Sequence, residues 1–173
     1  SDLAFNHYDN ILLENKFSSR GFVSPISDNA LRYYRYKLLG TSTDNGETVH
    51  KIQIIPRREN DPVFRGLIYI KEVTWHLVNA NVFLTKSTGI NLLDTLNISQ
   101  QFLKTGSTYM PSSINVQFNG DVIGFKFEGY YVGVYSNYNL QPNFPKNYFN
   151  GEVLKINKAV NEKDSLFWLN NRP

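Results

Sequence analysis

The chain has 173 residues, 41% hydrophobic and 19% charged, with a net charge of +3. That is enough for one domain with a buried core, and no stretch approaches the ~20 apolar residues of a membrane-spanning helix. The absence of cysteine excludes disulfide scaffolds, thiolate metal sites and thiol catalysis, and the small charge excess argues against a nucleic-acid partner. Residues 1–30 read as irregular. Gly21, Pro25 and Ser27-Asp28-Asn29 break any long element, with room for a short helix near Tyr8–Glu14. Leu31–Leu39 (LRYYRYKLL) reads as a strand, Gly40–Gly46 as a turn carrying the Asn-Gly signal, and Glu47–Ile55 as the second strand of a hairpin. In that second strand His50, Ile52 and Ile54 share one face at period two. Pro56–Pro62 is a polar loop. Phe64–Lys71 is the next strand, with Phe64, Ile68 and Ile70 on one face.

A tight turn near Glu72–Trp75 leads to His76–Thr85, where Val78, Ala80, Val82 and Leu84 face one way and Asn79, Asn81 and Thr85 the other. Lys86–Asn91 is a loop, and Leu96–Leu103 alternates again. Ser112–Asn119 places Ile114, Val116 and Phe118 inward and Asn115, Gln117 and Asn119 outward. Val122–Glu128 and Tyr130–Tyr138 close the series as two further strands, with turns at Asn119-Gly120 and Glu128-Gly129. Residues 139–151 read as an extended loop. Asn161–Leu169 reads as a helix, capped by Asn161 with Asp164 at the capping-box position; Leu166, Phe167, Trp168 and Leu169 supply its docking side.

The expected fold is mainly β: a curved antiparallel sheet or half-barrel of eight or nine strands with a short C-terminal helix. Connections too short for helical crossovers make the sheet antiparallel. Composition agrees, with 21 Asn and 4 Ala beside 12 Phe and 11 Tyr. Alanine scarcity disfavours helix, aromatics favour strands and Asn favours turns; AT-rich codon usage accounts for part of the Asn surplus. The chain is expected to be a single domain: residues 1–30 irregular, 31–138 the sheet, 139–173 loop and helix. Without an initial Met or a signal region at Ser1–Phe5, it reads as a piece of a longer protein. The core is expected from Ile52, Ile54, Ile68, Ile70, Val82, Leu84, Val116 and Phe118 on one sheet face.

Chemistry is sparse. His7, His50 and His76 have no metal-ligand spacing. His50 and His76 could meet across strands and, with a carboxylate, hold a metal; isolated strand histidines are the other reading. No phosphate loop, nucleophile elbow or H-E-x-x-H occurs. Asp61, Asp94 and Asp121 sit at strand ends or loops, as turn-capping carboxylates do. Arg57-Arg58 reads as a solvated turn, and Asn97-Ile98-Ser99 is a lone glycosylation sequon. No catalytic residue, metal or cofactor is expected. The aromatic run from Phe125 to Tyr138 supplies the candidate ligand site: Tyr131, Tyr135, Phe125 and Phe127. Gly133 between two tyrosines allows close approach by another group, or else only strand bending or aromatic packing from a neighbour, and Tyr rings suit a partly wet pocket for an apolar ligand or lipid chain. The alternative is that the N-terminal segment or the late helix covers this side.

Five segments carry a resemblance: RGFVSPISDNALRYYRYKLLG, VHKIQIIPRRENDPVFRGLIYI, DTLNISQQF, GFKFEGYYVGVYSNYNLQPNFP and FNGEVLKINKAVNEKDSLFWLNNRP. They resemble a family of Gram-negative envelope proteins known as a domain of unknown function. Its members carry an N-terminal carboxypeptidase-regulatory-like sandwich, a middle region of this kind and a C-terminal segment read as an outer-membrane β-barrel. The resemblance implies an address on the periplasmic side of the outer membrane, the rest of the parent protein as partner, and no known catalytic residues. The run from Tyr34 to Phe102 also resembles the half-barrels of the LolA/LolB lipoprotein carriers and the RseB sensor, without their long amphipathic helices. Two functions follow: a non-enzymatic periplasmic interaction or scaffold domain, or a module binding a lipid or lipoprotein acyl chain, with another envelope protein as a possible further partner. A hydrolase using loop carboxylates is the third.

Overall fold

Period-two patterning runs through most of residues 34–134, and in the computed structural model, which describes residues 5–145, this stretch forms a seven-stranded antiparallel meander. Two compact units divide the chain, residues 1–138 and 139–173. The first contains β1 (Ile11–Leu12), β2 (Phe22–Val23), a single helical turn α1 (Ala30–Tyr33), β3 (Tyr34–Asp44), β4 (Glu47–Pro56) and β5 (Arg65–Lys71). It continues with β6 (Leu77–Thr85), β7 (Thr95–Thr105), β8 (Thr108–Val122) and β9 (Phe125–Val134). Strands β3 to β9 pair in sequence order, so β3 and β9 are the edges among the described residues, and β1 and β2 form a separate two-stranded sheet. The mainly β, antiparallel expectation stands, with nine strands and no closed barrel among the described residues.

Of the second unit, residues 139–145 are described and contain no regular element. The expected helix at Asn161–Leu169, with its docking side chains, lies outside the described residues.

The Asn-Gly signal marked the first hairpin, but the turn is shorter than expected: β3 runs on through Gly40–Asp44, paired with Glu47–Lys51. Asn45 (φ 50°) and Gly46 (φ 79°) form the left-handed pair that joins β3 to β4. Elsewhere the local signals misled. The segment expected as a short helix near Tyr8–Glu14 instead supplies β1, whose Ile11 and Leu12 pair with Val23 and Phe22. The first long strand begins at Tyr34 rather than Leu31, because Ala30–Tyr33 makes a helical turn. Arg57 explains part of that turn's placement: its Nε donates to Leu31 O at 2.9 Å and Tyr34 O at 3.1 Å.

The turns expected at Asn119-Gly120 and Glu128-Gly129 do not exist. Strand β8 runs through the first, the hairpin turns at Ile123 (φ 53°) and Gly124 (φ 80°), and β9 runs through the second. Each glycine faces an aromatic residue across the ladder, Gly120 opposite Phe127 and Gly129 opposite Phe118. A Cβ on Gly120 would meet Phe127 Cζ at 2.6 Å, and one on Gly129 would run into the Phe118 ring. These glycines mark close packing inside strands.

Three slips of one residue occur in the ladder, at Leu39, Val78 and Ser112. At the second, Tyr69 pairs with Asn79 and Ile70 with Leu77. The bulge removes Val78 from the alternation, so Leu77 rather than Val78 joins Ala80, Val82 and Leu84 among the buried residues.

The inner face holds the core. Ile54, Ile68, Val82, Leu84 and Val116 are buried as expected, while Ile52, Ile70 and Phe118 are half-buried against them. The N-terminal segment covers this face: Phe5, Leu12, Phe22 and Val23 belong to the same cluster, with Leu13 and Phe17 packed on it. Phe64 meets Phe5 edge-on at 6.1 Å and Phe22 at 5.9 Å. Buried polar groups fasten the cover. Tyr34 Oη donates to Val23 O at 2.6 Å and accepts from Phe64 N at 3.0 Å, and Gln100 Nε2 donates to Phe5 O at 3.2 Å.

Candidate interaction surface

Strand β9 is apolar at both parities over Tyr130–Val134, a pattern expected of a strand covered on two sides. Here one ladder, to β8, holds it, and its other edge carries no partner strand among the described residues. Tyr130 (79% exposed), Val132 (56%) and Val134 (78%) therefore stand in solvent on its outer side. An apolar edge of this kind is a template for pairing with another chain.

The four expected ligand-site residues share the inner side of this strand and its continuation. Phe125 is exposed, Phe127 is half-buried over Gly120, and Tyr131 and Tyr135 are partly exposed. Gly133 lies between the tyrosines and opposite Ile114. The space its missing side chain leaves is taken by the chain itself. A Cβ there would meet Ile114 Cγ2 at 2.9 Å and the hydroxyls of Tyr131 and Tyr135 at 3.0 and 3.2 Å. Beneath the N-terminal cover, between Phe5, Leu13, Phe17, Leu96, Ile98, Ile114 and Val116, the enclosed volume is only about 10 Å³.

The titratable groups gather at one end of β4 and β5. Lys71 is almost fully buried. Its Nζ donates to Glu47, lies 3.5 Å from Asp44 Oδ2 and sits 5.6 Å from the Tyr109 ring. Tyr109 stacks on His76 at 4.7 Å. The Glu47 hydrogen bond pushes the Lys71 ammonium above its ordinary range and holds the Glu47 carboxyl below its own. Sequence reading left Lys71 as a strand end; its one legible signal was a lysine closing an otherwise apolar strand.

His50 and His76 lie on neighbouring parts of the sheet, but their partners differ: His50 Nε2 is 3.9 Å from Glu72 Oε1, and His76 stacks on Tyr109. Among the described residues no group of three or more His, Asp or Glu side chains is placed to hold a metal ion. Asp94 pairs with Lys86 at 3.1 Å, and Asp121 Oδ1 accepts from Gly124 N at 2.8 Å, which closes the β8–β9 turn.

A family model described as a family of unknown function (DUF5686) matches residues 1–138. No curated protein and no solved structure matches the chain.

Proposed function

We propose, for a chain that belongs to the DUF5686 family of unknown function, that residues 5–138 act as a non-enzymatic interaction or scaffold domain. The proposed address is the periplasmic side of the outer membrane, with the rest of the parent protein as partner; it rests on the resemblance of the sequence to envelope proteins. The observation that carries the scaffold reading is the filled part of the inner face beneath the N-terminal cover. Ligand sites commonly enclose about 300–1,000 Å³, whereas the space beneath the N-terminal cover is about 10 Å³. The edge strand β9 exposes a run of apolar side chains, and strand addition there supplies main-chain hydrogen bonds while Tyr130, Val132 and Val134 supply apolar contact.

Co-expression of the chain with the remainder of its parent protein tests this. Co-purification that survives Leu31→Ala and is lost with Val132→Lys plus Val134→Lys supports docking through β9. Co-purification untouched by the β9 changes sinks it.

The second reading is a module for a lipid or lipoprotein acyl chain. Phe125, Phe127, Tyr131 and Tyr135, lying on one side of β9, favour it. Titration with a fluorescent fatty acid separates the two. Saturable binding weakened by Tyr135→Ala supports the acyl-chain module; no binding leaves the scaffold.

A further inference from the structure

We propose that the outer face of β6, β7 and β8 is a binding site for a neutral glycan. Strand register writes this face as rows. Asn81, Ser99 and Asn115 lie side by side across the three strands, and in the next row Phe83, Asn97, Gln117 and Tyr130 do so. Asn79, Gln101 and Ser113 form a third row. On β6, β7 and β8 these outward positions carry no charged side chain; the charges lie around them, Arg65 on β5 opposite Phe83, Glu128 on β9 opposite Asn119, and Asp121 at the hairpin end opposite Lys126. A general surplus of asparagine would populate both sides of the strands. The inward positions, such as Ala80, Val82, Ile98, Gln100, Ile114 and Val116, contain none.

Solvated sheet faces usually carry interspersed Lys and Glu, which keep them soluble and unpaired. An uncharged amide face forgoes that protection and offers something else. Each amide presents two donors and an acceptor with two lone pairs, which matches the donor-and-acceptor character of sugar hydroxyls. Asn97, Asn115, Gln117 and Asn119 are exposed and spend no side-chain hydrogen bond among the described residues. Within a row, neighbours on adjacent strands stand about 4.8 Å apart, close to the length of one pyranose unit. Tyr130, 79% exposed at the end of its row, supplies a ring on which the C–H face of a sugar packs. A cleft of about 600 Å³ lies there, lined among others by Asn97, Gln117, Asn119, Glu128 and Tyr130, within the range of small-ligand sites. Within β6, β7 and β8 these rows offer an anionic polymer no counter-charge, and Glu128 at the cleft repels one.

Affinity electrophoresis of the whole 173-residue chain provides the test, in gels containing hydroxyethylcellulose, dextran or galactomannan, with polygalacturonate as the anionic comparison. At least one neutral glycan is expected to retard the chain, and polygalacturonate is not. Gln117→Ala and Tyr130→Ala each should weaken that retardation about five-fold or more, with unchanged melting temperatures, while Lys37→Ala on β3 leaves it as it was. Absence of retardation by all three neutral glycans overturns the proposal. So does retardation insensitive to both face variants, or stronger with polygalacturonate.

Discussion

Tyr34 joins three parts of the unit through one hydroxyl, between β2, the chain before β5 and its own strand β3. Burial raises its phenol pKa far above the ordinary value, so the group stays neutral and can serve as both donor and acceptor. Tyr34→Phe keeps the ring and strands Val23 O and Phe64 N; urea unfolding should show a loss of about 1–3 kcal/mol. His7 is a second buried polar residue, fully enclosed between Phe5 and Phe102, with no hydrogen-bond partner for either ring nitrogen. Burial lowers its pKa from 6.5 to about 3. Between those values the unfolded chain binds a proton that the folded chain does not. Stability therefore falls as pH drops below about 6.5, by up to about 1.4 kcal/mol per pH unit, and this loss levels off near the folded pKa. His7→Phe should flatten the stability profile between pH 6.5 and 5. A profile of unchanged slope would show that His7 is not the group responsible. The Glu47–Lys71 pair adds a separate loss at lower pH, because the Glu47 carboxyl is held below its ordinary range and must be protonated.

Strands β8 and β9 show how an element can read through a turn signal. Asn-Gly and Glu-Gly look like punctuation, yet both glycines lie in ladder positions facing aromatic rings. Gly129→Ala should cost about 1–3 kcal/mol through overpacking against Phe118. Substitutions at exposed Val132 or Val134 should change stability by no more than about 0.5 kcal/mol. Chemical denaturation of these variants checks both values. An equal effect at the two kinds of site would mean that β9 is not packed as described. On β4, Ile54→Ala should cost about 2–5 kcal/mol, since the residue is 2% exposed and its truncation leaves a cavity behind.

At the scale of the whole unit, a short irregular segment does the work of a second layer. The inner sheet face needs cover, because a sheet buries one side against another element. Residues 5–28 supply it with Phe5, Leu12, Phe17 and Phe22 and with few backbone ladders of their own. A chain beginning at Asn29 should therefore bind a hydrophobic dye such as ANS and lose its cooperative melting transition. A sharp transition without dye binding would show that the sheet is stable uncovered.

Sequence alone determined the strands from Glu47 to Asn119, their antiparallel order and the inward set around Ile54, Ile68, Val82 and Val116. Period-two alternation and the Asn45-Gly46 turn are local properties, written in neighbouring residues. The tertiary structure decided what local signals do not contain. The pairing of Gly120 with Phe127 and Gly129 with Phe118 depends on a partner strand, so the same glycines read alone as turns. The bulge at Val78 depends on how β5 and β6 slide past one another. The four aromatics were read on two strands joined at Glu128-Gly129, whereas Phe125, Phe127 and Tyr131 lie along one strand, and what fills the gap at Gly133 is set by Ile114 on the next strand and by the two tyrosine rings folding back. The N-terminal segment carries no periodicity of its own. Its role follows only from the apolar face it meets, because the free energy of burying Phe5 and Phe22 belongs to a contact between residues far apart in the chain.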